Sequence, residues 1–288
     1  MSFYLALAIE QGIEPEYEKA LIASAKLYGW QVHLVQHVPF TDTFATAYEP
    51  GMTRGPLSEA LLSNPNVWFH GSIQAAKAAQ RVTKWQVHAP WPSLRCAVYY
   101  SFLQKRLFQK DWMLTTVEGV KVDKDALFSS EFVEDETLFV RPDACDKLFT
   151  GMCLSLREFE EGYKRMTFYD PPPNTQVVVA RPQKILAEAR FLVVDKKIVT
   201  GSSYRNDGKG VHLPATPKLL EEAEEMLKFC LAQGYNPAPS WVLDLAYDGV
   251  DWLILEVGAS SCSGLYKCDT DLFIEALTRM LSRDLSAP

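Results

Sequence analysis

The sequence predicts a parallel α/β unit followed by a larger α+β region whose sheets are antiparallel. Strand and helix patterns alternate over the first third of the chain, whereas hairpin turns appear in the second half. An aromatic segment interrupted by prolines separates the two patterns. The chain of 288 residues has the length of two domains, which we place at residues 1–110 and 111–288.

The first unit is predicted from apolar runs that alternate with helical spacing. Residues 3–9 are a continuous apolar run, typical of a strand covered on both faces. Residues 15–28 carry apolar side chains at helical spacing, and Gly29 ends that helix. Two more strands and a helix complete the unit: residues 30–38, 67–70 and 73–82, the helix with Ser72 as its N-cap.

Residues 84–110 are rich in aromatic and basic side chains, and Pro90 and Pro92 break the segment before a predicted helix. We interpret it as a domain boundary or linker whose aromatic side chains serve packing. Binding of single-stranded nucleic acid is the weaker alternative. The formal net charge of -7 argues against it.

The second region is predicted to consist of antiparallel strands and three helices. Asp195-Lys196 and Asp248-Gly249 have the composition of hairpin turns. The predicted strands are residues 112–117, 138–141, 176–180, 189–194, 197–204, 241–247 and 252–257. The predicted helices are residues 155–165, 217–233 and 271–281.

Composition indicates a globular protein and excludes several classes. The 29 Lys and Arg residues are outnumbered by 36 Asp and Glu residues, so we expect neither a nucleic-acid nor a membrane partner. The six cysteines are scattered without a C-x-x-C pair, which favours reduced thiols and a cytoplasmic protein. The apolar N-terminal run lacks a basic leader, so we interpret it as a strand and not a signal peptide.

One candidate phosphate site follows the strand that ends at Arg141. Pro142 is expected to stop the ladder, and a loop with Lys147, Thr150 and Gly151 comes next. A cation at a strand end, followed by a lysine and a glycine-containing turn, suits the binding of a polyanion. A surface loop with ordinary ion pairs is the alternative.

Charged residues also interrupt apolar strands further along the chain. Glu188 and Arg190 are two residues apart, so their side chains share one face of a strand, and Arg205 ends the next strand. These arginines are expected to lie in one sheet and to bind one anion, the alternative being a salt bridge at a sheet rim. Asp244 and Glu256 lie within adjacent predicted strands, and two close carboxylates call for a cation such as Mg²⁺.

These segments together resemble the ATP-grasp superfamily, and within it the clade marked by two arginines and a lysine. The resemblance covers residues 112–281 and rests on the order of several short segments. They are Val140-Arg141-Pro142-Asp143, Lys147 to Gly151, Glu188-Ala189-Arg190, Ser203-Tyr204-Arg205, Leu243-Asp244 and Glu256 to Tyr266. It implies an ATP site between two α+β subdomains, preceded by a small Rossmann-like domain.

The resemblance also implies roles for individual residues. Arg141 would bind the nucleotide phosphates, and the loop with Lys147, Thr150 and Gly151 would cover them. Arg190 and Arg205 look like the two arginines of the clade and would bind phosphate or the substrate carboxylate. Further residues belong to the implied nucleotide and metal sites: Val179, Ala180 and Arg181 at the adenine hinge with Glu188 beside the nucleotide, and Asp244 and Glu256 on Mg²⁺.

One departure from the family pattern concerns the metal. The usual pattern is E-x-N, but Gly258 stands at the third position here, so Ser260, Ser261 or a water would have to replace the missing ligand. The leading hypothesis is an ATP- and Mg²⁺-dependent ligase that joins a carboxylate to an amine through an acyl phosphate. Its partners would be small-molecule or peptide substrates. A non-catalytic nucleotide-binding or adaptor protein on the same fold is the alternative.

Overall fold

The computed structural model describes residues 4–12, 15–47, 55–145 and 148–286. The first elements in chain order are β1 Ala6–Glu10, α1 Pro15–Leu27, β2 Gln31–His37, β3 Phe44–Thr46, α2 Glu59–Leu62, β4 Val67–His70 and α3 Ile73–Val82. The middle elements are α4 Cys96–Leu103, β5 Trp112–Thr116, α5 Val117–Val122, α6 Lys124–Phe128, β6 Thr137–Pro142, β7 Met152–Ser155, α7 Phe159–Met166 and β8 Gln176–Ala180. The last are β9 Ala187–Val194, β10 Lys197–Asn206, β11 Lys209–Pro214, α8 Pro217–Ala232, β12 Ser240–Tyr247, β13 Trp252–Ala259 and α9 Thr270–Ser286.

The first sheet has the order β3-β2-β1-β4, and β1 pairs in parallel with both β2 and β4. This confirms the parallel α/β unit, whose central strand is buried at every position from Ala6 to Ile9. Ser72 caps α3 as predicted, because its side-chain oxygen accepts a hydrogen bond from the Ala75 N–H at 3.2 Å. Residue 3, where the first strand was predicted to begin, lies outside the described residues.

The aromatic side chains of residues 84–110 pack in the core, which confirms the role predicted for them. Tyr99 and Tyr100 on α4 are completely buried in the core that β9 and β12 also form. The carboxylate of Asp143 accepts a hydrogen bond from the Ala97 N–H at 2.6 Å and so anchors the start of α4. Prolines suggested a loop here, but burial of the aromatic side chains holds the segment in the fold. The division of the chain at residue 110 stays a prediction.

Two antiparallel sheets follow, as predicted. The four-stranded sheet has the order β5-β8-β6-β7, and the five-stranded sheet has the order β11-β10-β9-β12-β13. Asp195 and Lys196 both adopt positive φ and form the two-residue hairpin between β9 and β10. The connection between β12 and β13 is longer than predicted, because the Asp248 carboxylate accepts hydrogen bonds from the N–H groups of Val250 and Asp251.

Two local predictions were wrong, and three strands were missed. The helix predicted from residue 155 starts only at Phe159, because Met152–Ser155 pairs with β6 as a strand. Pro142 does not stop the ladder but is the last residue of β6, opposite Val177, where a strand end tolerates a residue without an N–H. The missed strands are β7, then β3, which pairs with β2, and β11, which pairs with β10 after a turn at Gly208.

The five-stranded sheet is the centre of the molecule because both of its faces are covered. Alternate residues of β9 point to opposite faces. Phe191 and Val193 pack in the cluster that contains α4 and α8, whereas Leu192 and Val194 pack with the first sheet and α9. No helix in the described part of the chain is long and apolar enough to span a bilayer.

Candidate active site

The candidate site lies where the apolar face of β9 becomes charged. Glu188 and Arg190 share a face with Leu192 and Val194, as their spacing predicts. The register places Arg190 opposite Asp244 on β12, and Asp244 opposite Glu256 on β13. The predicted proximity of the two carboxylates is therefore confirmed, and the arginine lies beside them in the same sheet.

Arg190 and Asp244 form a buried bidentate ion pair. Nε donates to Oδ1 at 2.9 Å and Nη2 donates to Oδ2 at 2.7 Å, while Nη1 donates to the Gly264 carbonyl at 2.9 Å. Only 14% of the Arg190 side chain and 4% of the Asp244 side chain are exposed. Burial raises the pKa of Asp244 above its usual value, and Arg190 lowers it by less. Burial lowers the pKa of Arg190, but Asp244 more than offsets this, so the guanidinium stays charged.

A second ion pair links the two antiparallel sheets. Nη2 of Arg141, on β6 of the four-stranded sheet, donates to Oε1 of Glu256 on β13 at 2.9 Å. Burial lowers the pKa of Arg141, but the Glu256 carboxylate helps to raise it well above the usual value. Because Asp244 and Glu256 lie opposite each other on adjacent strands, the two pairs bring two guanidiniums and two carboxylates together.

Glu188 completes a third pair with Arg205. Its Oε1 accepts from Nη1 of Arg205 at 2.7 Å, and its Oε2 accepts from the Tyr204 hydroxyl at 2.7 Å. Glu188 is buried, whereas 51% of the Arg205 side chain is exposed. The two arginines therefore lie in one sheet, as predicted, but each faces a different carboxylate.

Two tyrosines cover the Arg190 guanidinium. The rings of Tyr204 and Tyr266 stack with centroids 4.8 Å apart, and Cζ of Arg190 lies 5.1 Å from the Tyr266 centroid. Tyr266 adopts φ of 50°, which is strained for a residue with a Cβ. Sequence reasoning assigned neither tyrosine a role, because stacking between β10 and the loop after β13 has no local signal.

The chemistry of the carboxylates fits Mg²⁺. Among the described residues, no three His, Cys, Asp or Glu side chains are grouped as a metal site. Proteins commonly hold Mg²⁺ by one or two carboxylates, with substrate phosphates and waters completing the octahedron. Asp244 and Glu256 offer such a pair on adjacent strands, and the Glu256 side chain is 31% exposed. In the structure, Arg190 neutralises Asp244 and Arg141 neutralises Glu256. The sequence did not predict these two pairs.

Asp244, Glu256 and Gly258 line one small cavity. Because Gly258 has no side chain, a ligand in this cavity can approach the backbone closely. A Cβ at position 258 would lie 3.2 Å from Oγ of Ser263, a serine that sequence reasoning missed. The predicted ligand Ser260 is completely buried, and its hydroxyl donates to the Ser240 carbonyl at 3.1 Å. Its role on a metal stays a prediction and requires that hydrogen bond to break.

The predicted phosphate loop is described in part. Gly151 packs so closely that an added Cβ would lie 2.9 Å from Cζ of Phe139 and 3.2 Å from Cβ of Arg141. The glycine therefore allows the loop to lie directly against the strand that carries Arg141. Thr150 is exposed. Lys147 lies outside the described residues.

The predicted adenine hinge begins inside a strand. Val179 and Ala180 are in β8, which pairs with β5 on one side and with β6 on the other. Residues 181–186 then lead to β9 without regular structure, starting at Arg181, whose N–H donates to the Asp111 carbonyl at 3.2 Å. The Arg181 side chain donates to the Glu131 carbonyl at 2.6 Å. The segment that joins the two sheets is thus 181–186.

Two antiparallel sheets joined by residues 181–186 and preceded by a parallel α/β unit are the architecture of the ATP-grasp class of fold. The family model of the ATP-grasp domain, family 3 of the clade with two arginines and a lysine, matches residues 73–277. The chain belongs to this family, and the resemblance inferred from the short segments is confirmed. No curated protein sequence matches the chain.

Solved structures of ligases share the fold. D-cycloserine synthetase DcsG is 12% identical, with a TM-score of 0.61 over 96% of this chain and 99% of that one. The D-alanine-D-alanine ligase from Coxiella burnetii is 10% identical, with a TM-score of 0.60 over 98% and 97% of the chains. ATP-grasp ligase PsnB, complexed with minimal precursor, Mg and ADP, is 10% identical, with a TM-score of 0.53 over 96% and 98%. At these identities the likeness concerns the fold.

Proposed function

We propose that the chain is an ATP- and Mg²⁺-dependent ligase that joins a carboxylate to an amine through an acyl phosphate. The observation that carries the proposal is the cluster in which Arg141 pairs with Glu256 and Arg190 pairs with Asp244. Transfer of a phosphoryl group requires positioning and neutralisation of charge more than a nucleophilic side chain. The guanidiniums next to the two carboxylates would supply this positioning and this neutralisation of charge.

The arginine pairs support this function because phosphate competes with carboxylate for guanidinium. Both anions accept two parallel N–H bonds from an arginine. When nucleotide phosphates approach, Arg141 and Arg190 would turn to them and release Glu256 and Asp244. Those two carboxylates would then hold Mg²⁺, which neutralises phosphate charge when bound. Lys147, Thr150 and Gly151 would cover the phosphates, and the hinge from Val179 to Arg181 would bind the adenine.

Arg205 is the arginine best placed for the substrate carboxylate. About half of its side chain is exposed, while the buried Glu188 and the Tyr204 hydroxyl fix the rest of the group. An arginine held in this way keeps N–H donors for an incoming carboxylate. Arg190, by contrast, donates from Nε, Nη1 and Nη2 to Asp244 and Gly264, so it would orient phosphate only after its hydrogen bonds to Asp244 break.

The proposed reaction needs no covalent enzyme intermediate. A substrate carboxylate oxygen attacks the γ-phosphorus of ATP, the bond to the bridging oxygen breaks, and ADP leaves. The amine nitrogen then attacks the acyl carbon, the bond from that carbon to the phosphorylated oxygen breaks, and inorganic phosphate leaves with its electron pair. The nitrogen loses its extra proton, and an amide remains.

Release of ADP tests this function directly. Wild-type protein with MgATP is screened against mixtures of carboxylates and amines, including peptides, and ADP is quantified. Glu256→Gln keeps the shape of the side chain but removes its charge, so we expect ADP formation to be lost while the fold is retained. Glu224→Gln, on the exposed face of α8, is the matched control. Undiminished turnover by Glu256→Gln would contradict the proposal.

The alternative is a nucleotide-binding or adaptor protein without turnover. Gly258 favours it, because no side chain there can hold a second metal ion. Binding of ATP measured by calorimetry, with no ADP or AMP released across the whole substrate screen, would support this alternative. Release of ADP that depends on both a carboxylate and an amine would exclude it.

A further inference from the structure

Three serines lie in the loop directly after β13, and they differ in what their hydroxyl groups bind. Ser260 is completely buried, and its hydroxyl donates to the Ser240 carbonyl at 3.1 Å. The Ser261 hydroxyl accepts a hydrogen bond from the His88 N–H at 2.8 Å. Among the described residues, the Ser263 hydroxyl forms no hydrogen bond. Ser263 is therefore the serine of this loop whose oxygen is available to a ligand.

Ser263 lines the small cavity of the candidate active site together with Asp244 and Glu256. The volume of this cavity is about 50 Å³, which is room for a few water-sized groups. Such a space suits an ion with its waters better than an organic molecule. The ligand that this serine can meet in the cavity is therefore small, and the two carboxylates favour a cation.

The space in front of the Ser263 hydroxyl is open because position 258 is a glycine. A Cβ there would lie 3.2 Å from Oγ of Ser263 and 3.5 Å from Cβ of Val242. The backbone at Gly258 is not in the left-handed region, so its conformation would accept a side chain. The glycine is thus not required for a turn, and what it provides at this point of β13 is space.

One ion can reach both the hydroxyl and the carboxylates. Gly258 and Glu256 are two residues apart on β13, so these positions face the same side of the sheet and lie about 7 Å apart. Asp244 faces that side too, because it lies directly opposite Glu256. Two oxygens bound to one Mg²⁺ are about 3–4 Å apart. The glutamate side chain, extended along the sheet, covers the rest of the separation.

Hydrogen bonds on both sides of Ser263 fix the loop. The Gly71 N–H donates to the Ser261 carbonyl at 2.8 Å, which ties the loop to the start of α3. Nη1 of Arg190 donates to the Gly264 carbonyl at 2.9 Å, which ties the loop to β9. A hydroxyl on a loop held in this way loses little conformational freedom when it binds an ion.

We propose that Oγ of Ser263 is the third protein ligand of the Mg²⁺ ion that Asp244 and Glu256 hold, in the space that Gly258 leaves open. Mg²⁺ takes oxygen ligands, and a serine or threonine hydroxyl holds it beside an aspartate in other phosphate-transferring enzymes. The hydroxyl is neutral, so it adds a ligand without adding charge to the two carboxylates. This inference rests on the proposed function, since that function brings the metal ion to the site.

Binding of Mn²⁺, a paramagnetic ion with the same preference for oxygen as Mg²⁺, tests the proposal. Mn²⁺ is titrated into protein at saturating ADP, and electron paramagnetic resonance gives its affinity for the complex. Ser263→Ala should weaken Mn²⁺ about tenfold, whereas Ser282→Ala, at an exposed position on α9, should match wild type. Equal affinities of wild type and Ser263→Ala, or no binding of Mn²⁺ by wild type with ADP, would overturn the proposal.

A change of ligand chemistry separates a metal ligand from a serine that only supports the loop. A thiolate selects softer ions, so Ser263→Cys should raise the affinity for Cd²⁺ relative to Mn²⁺ at least tenfold over wild type. Wild type is the reference because Cys145 and Cys262 line the same cavity, and Ser282→Cys controls for an added thiol. A ratio of affinities that stays at the wild-type value would overturn the proposal.

The two proposals can fail separately. If Mn²⁺ binding depends on Ser263 but ADP is never formed in the substrate screen, the ligase function fails and the metal ligand stands. If ADP is formed and Glu256→Gln abolishes it, while Ser263→Ala binds Mn²⁺ as wild type does, the metal ligand fails and the ligase function stands.

Discussion

Replacing Arg190 by methionine removes the only side chain that compensates the buried Asp244 carboxylate among the described residues. The pair is held by two hydrogen bonds of 2.9 and 2.7 Å, with 14% and 4% of the side chains exposed. Removing one partner of a buried ion pair costs about 3–5 kcal/mol, because the other charge stays buried alone. We therefore expect Arg190→Met to lower the free energy of unfolding by about that amount.

Urea unfolding followed by fluorescence and circular dichroism measures the loss. Arg279→Met is the matched control, since Arg279 and Glu275 form an exposed pair on α9, which should contribute less than about 1 kcal/mol. Adding Asp244→Leu to Arg190→Met should recover most of the loss, because no buried charge then remains. A loss below about 1 kcal/mol for Arg190→Met would refute the role of this pair.

The loss of unfolding free energy in Arg190→Met should also depend on pH, and the sign of this dependence follows from the pKa of Asp244. Burial raises the pKa of Asp244 in the folded protein, so the folded state takes up this proton at a higher pH than the unfolded chain. Acidification therefore favours the folded variant through this group, and the deficit of Arg190→Met should shrink as the pH falls. A deficit that grows on acidification, after subtraction of the wild-type profile, would contradict this sign.

Three further perturbations follow from the geometry. Gly151→Ala adds a Cβ 2.9 Å from Cζ of Phe139, so we expect a loss of about 1–3 kcal/mol in urea unfolding. Burial lowers the pKa values of His70 and His88 to about 4 from 6.5, so the unfolded state binds more protons between those values. Stability should fall from pH 6.5 to 4, and His88→Gln should flatten the profile. Tyr266→Ala should cost about 1–2 kcal/mol through lost stacking in the same assay.

Local sequence predicts the framework of the site well. The hairpin turn at Asp195-Lys196 and the short connection after Tyr247 make β9 with β10, and β12 with β13, neighbours in the sheet. This neighbourhood and the alternation of side chains together bring Asp244 next to Glu256. The predicted ends of the strands were less accurate, because pairing with a distant strand determines where a ladder stops.

Local sequence could not predict which residues form ion pairs with the charged side chains of the site. Arg141 and Glu256 are 115 residues apart and belong to different sheets, so nothing near either residue indicates the pair. The sequence therefore predicted that the two carboxylates lie close together, but not that an arginine pairs with each of them. The packing of the aromatic side chains in residues 84–110 was predicted, but not that the strands that cover Tyr99 and Tyr100 come much later in the chain.

Transfer of oxygen from the carboxylate to phosphate tests the central claim most directly. With a carboxylate and an amine that support ADP release, the carboxylate is labelled with ¹⁸O, and the inorganic phosphate is analysed by mass spectrometry. An acyl phosphate predicts one ¹⁸O atom in each phosphate released, in step with ADP. Unlabelled phosphate, or release of AMP and pyrophosphate, would contradict the proposed ligase chemistry.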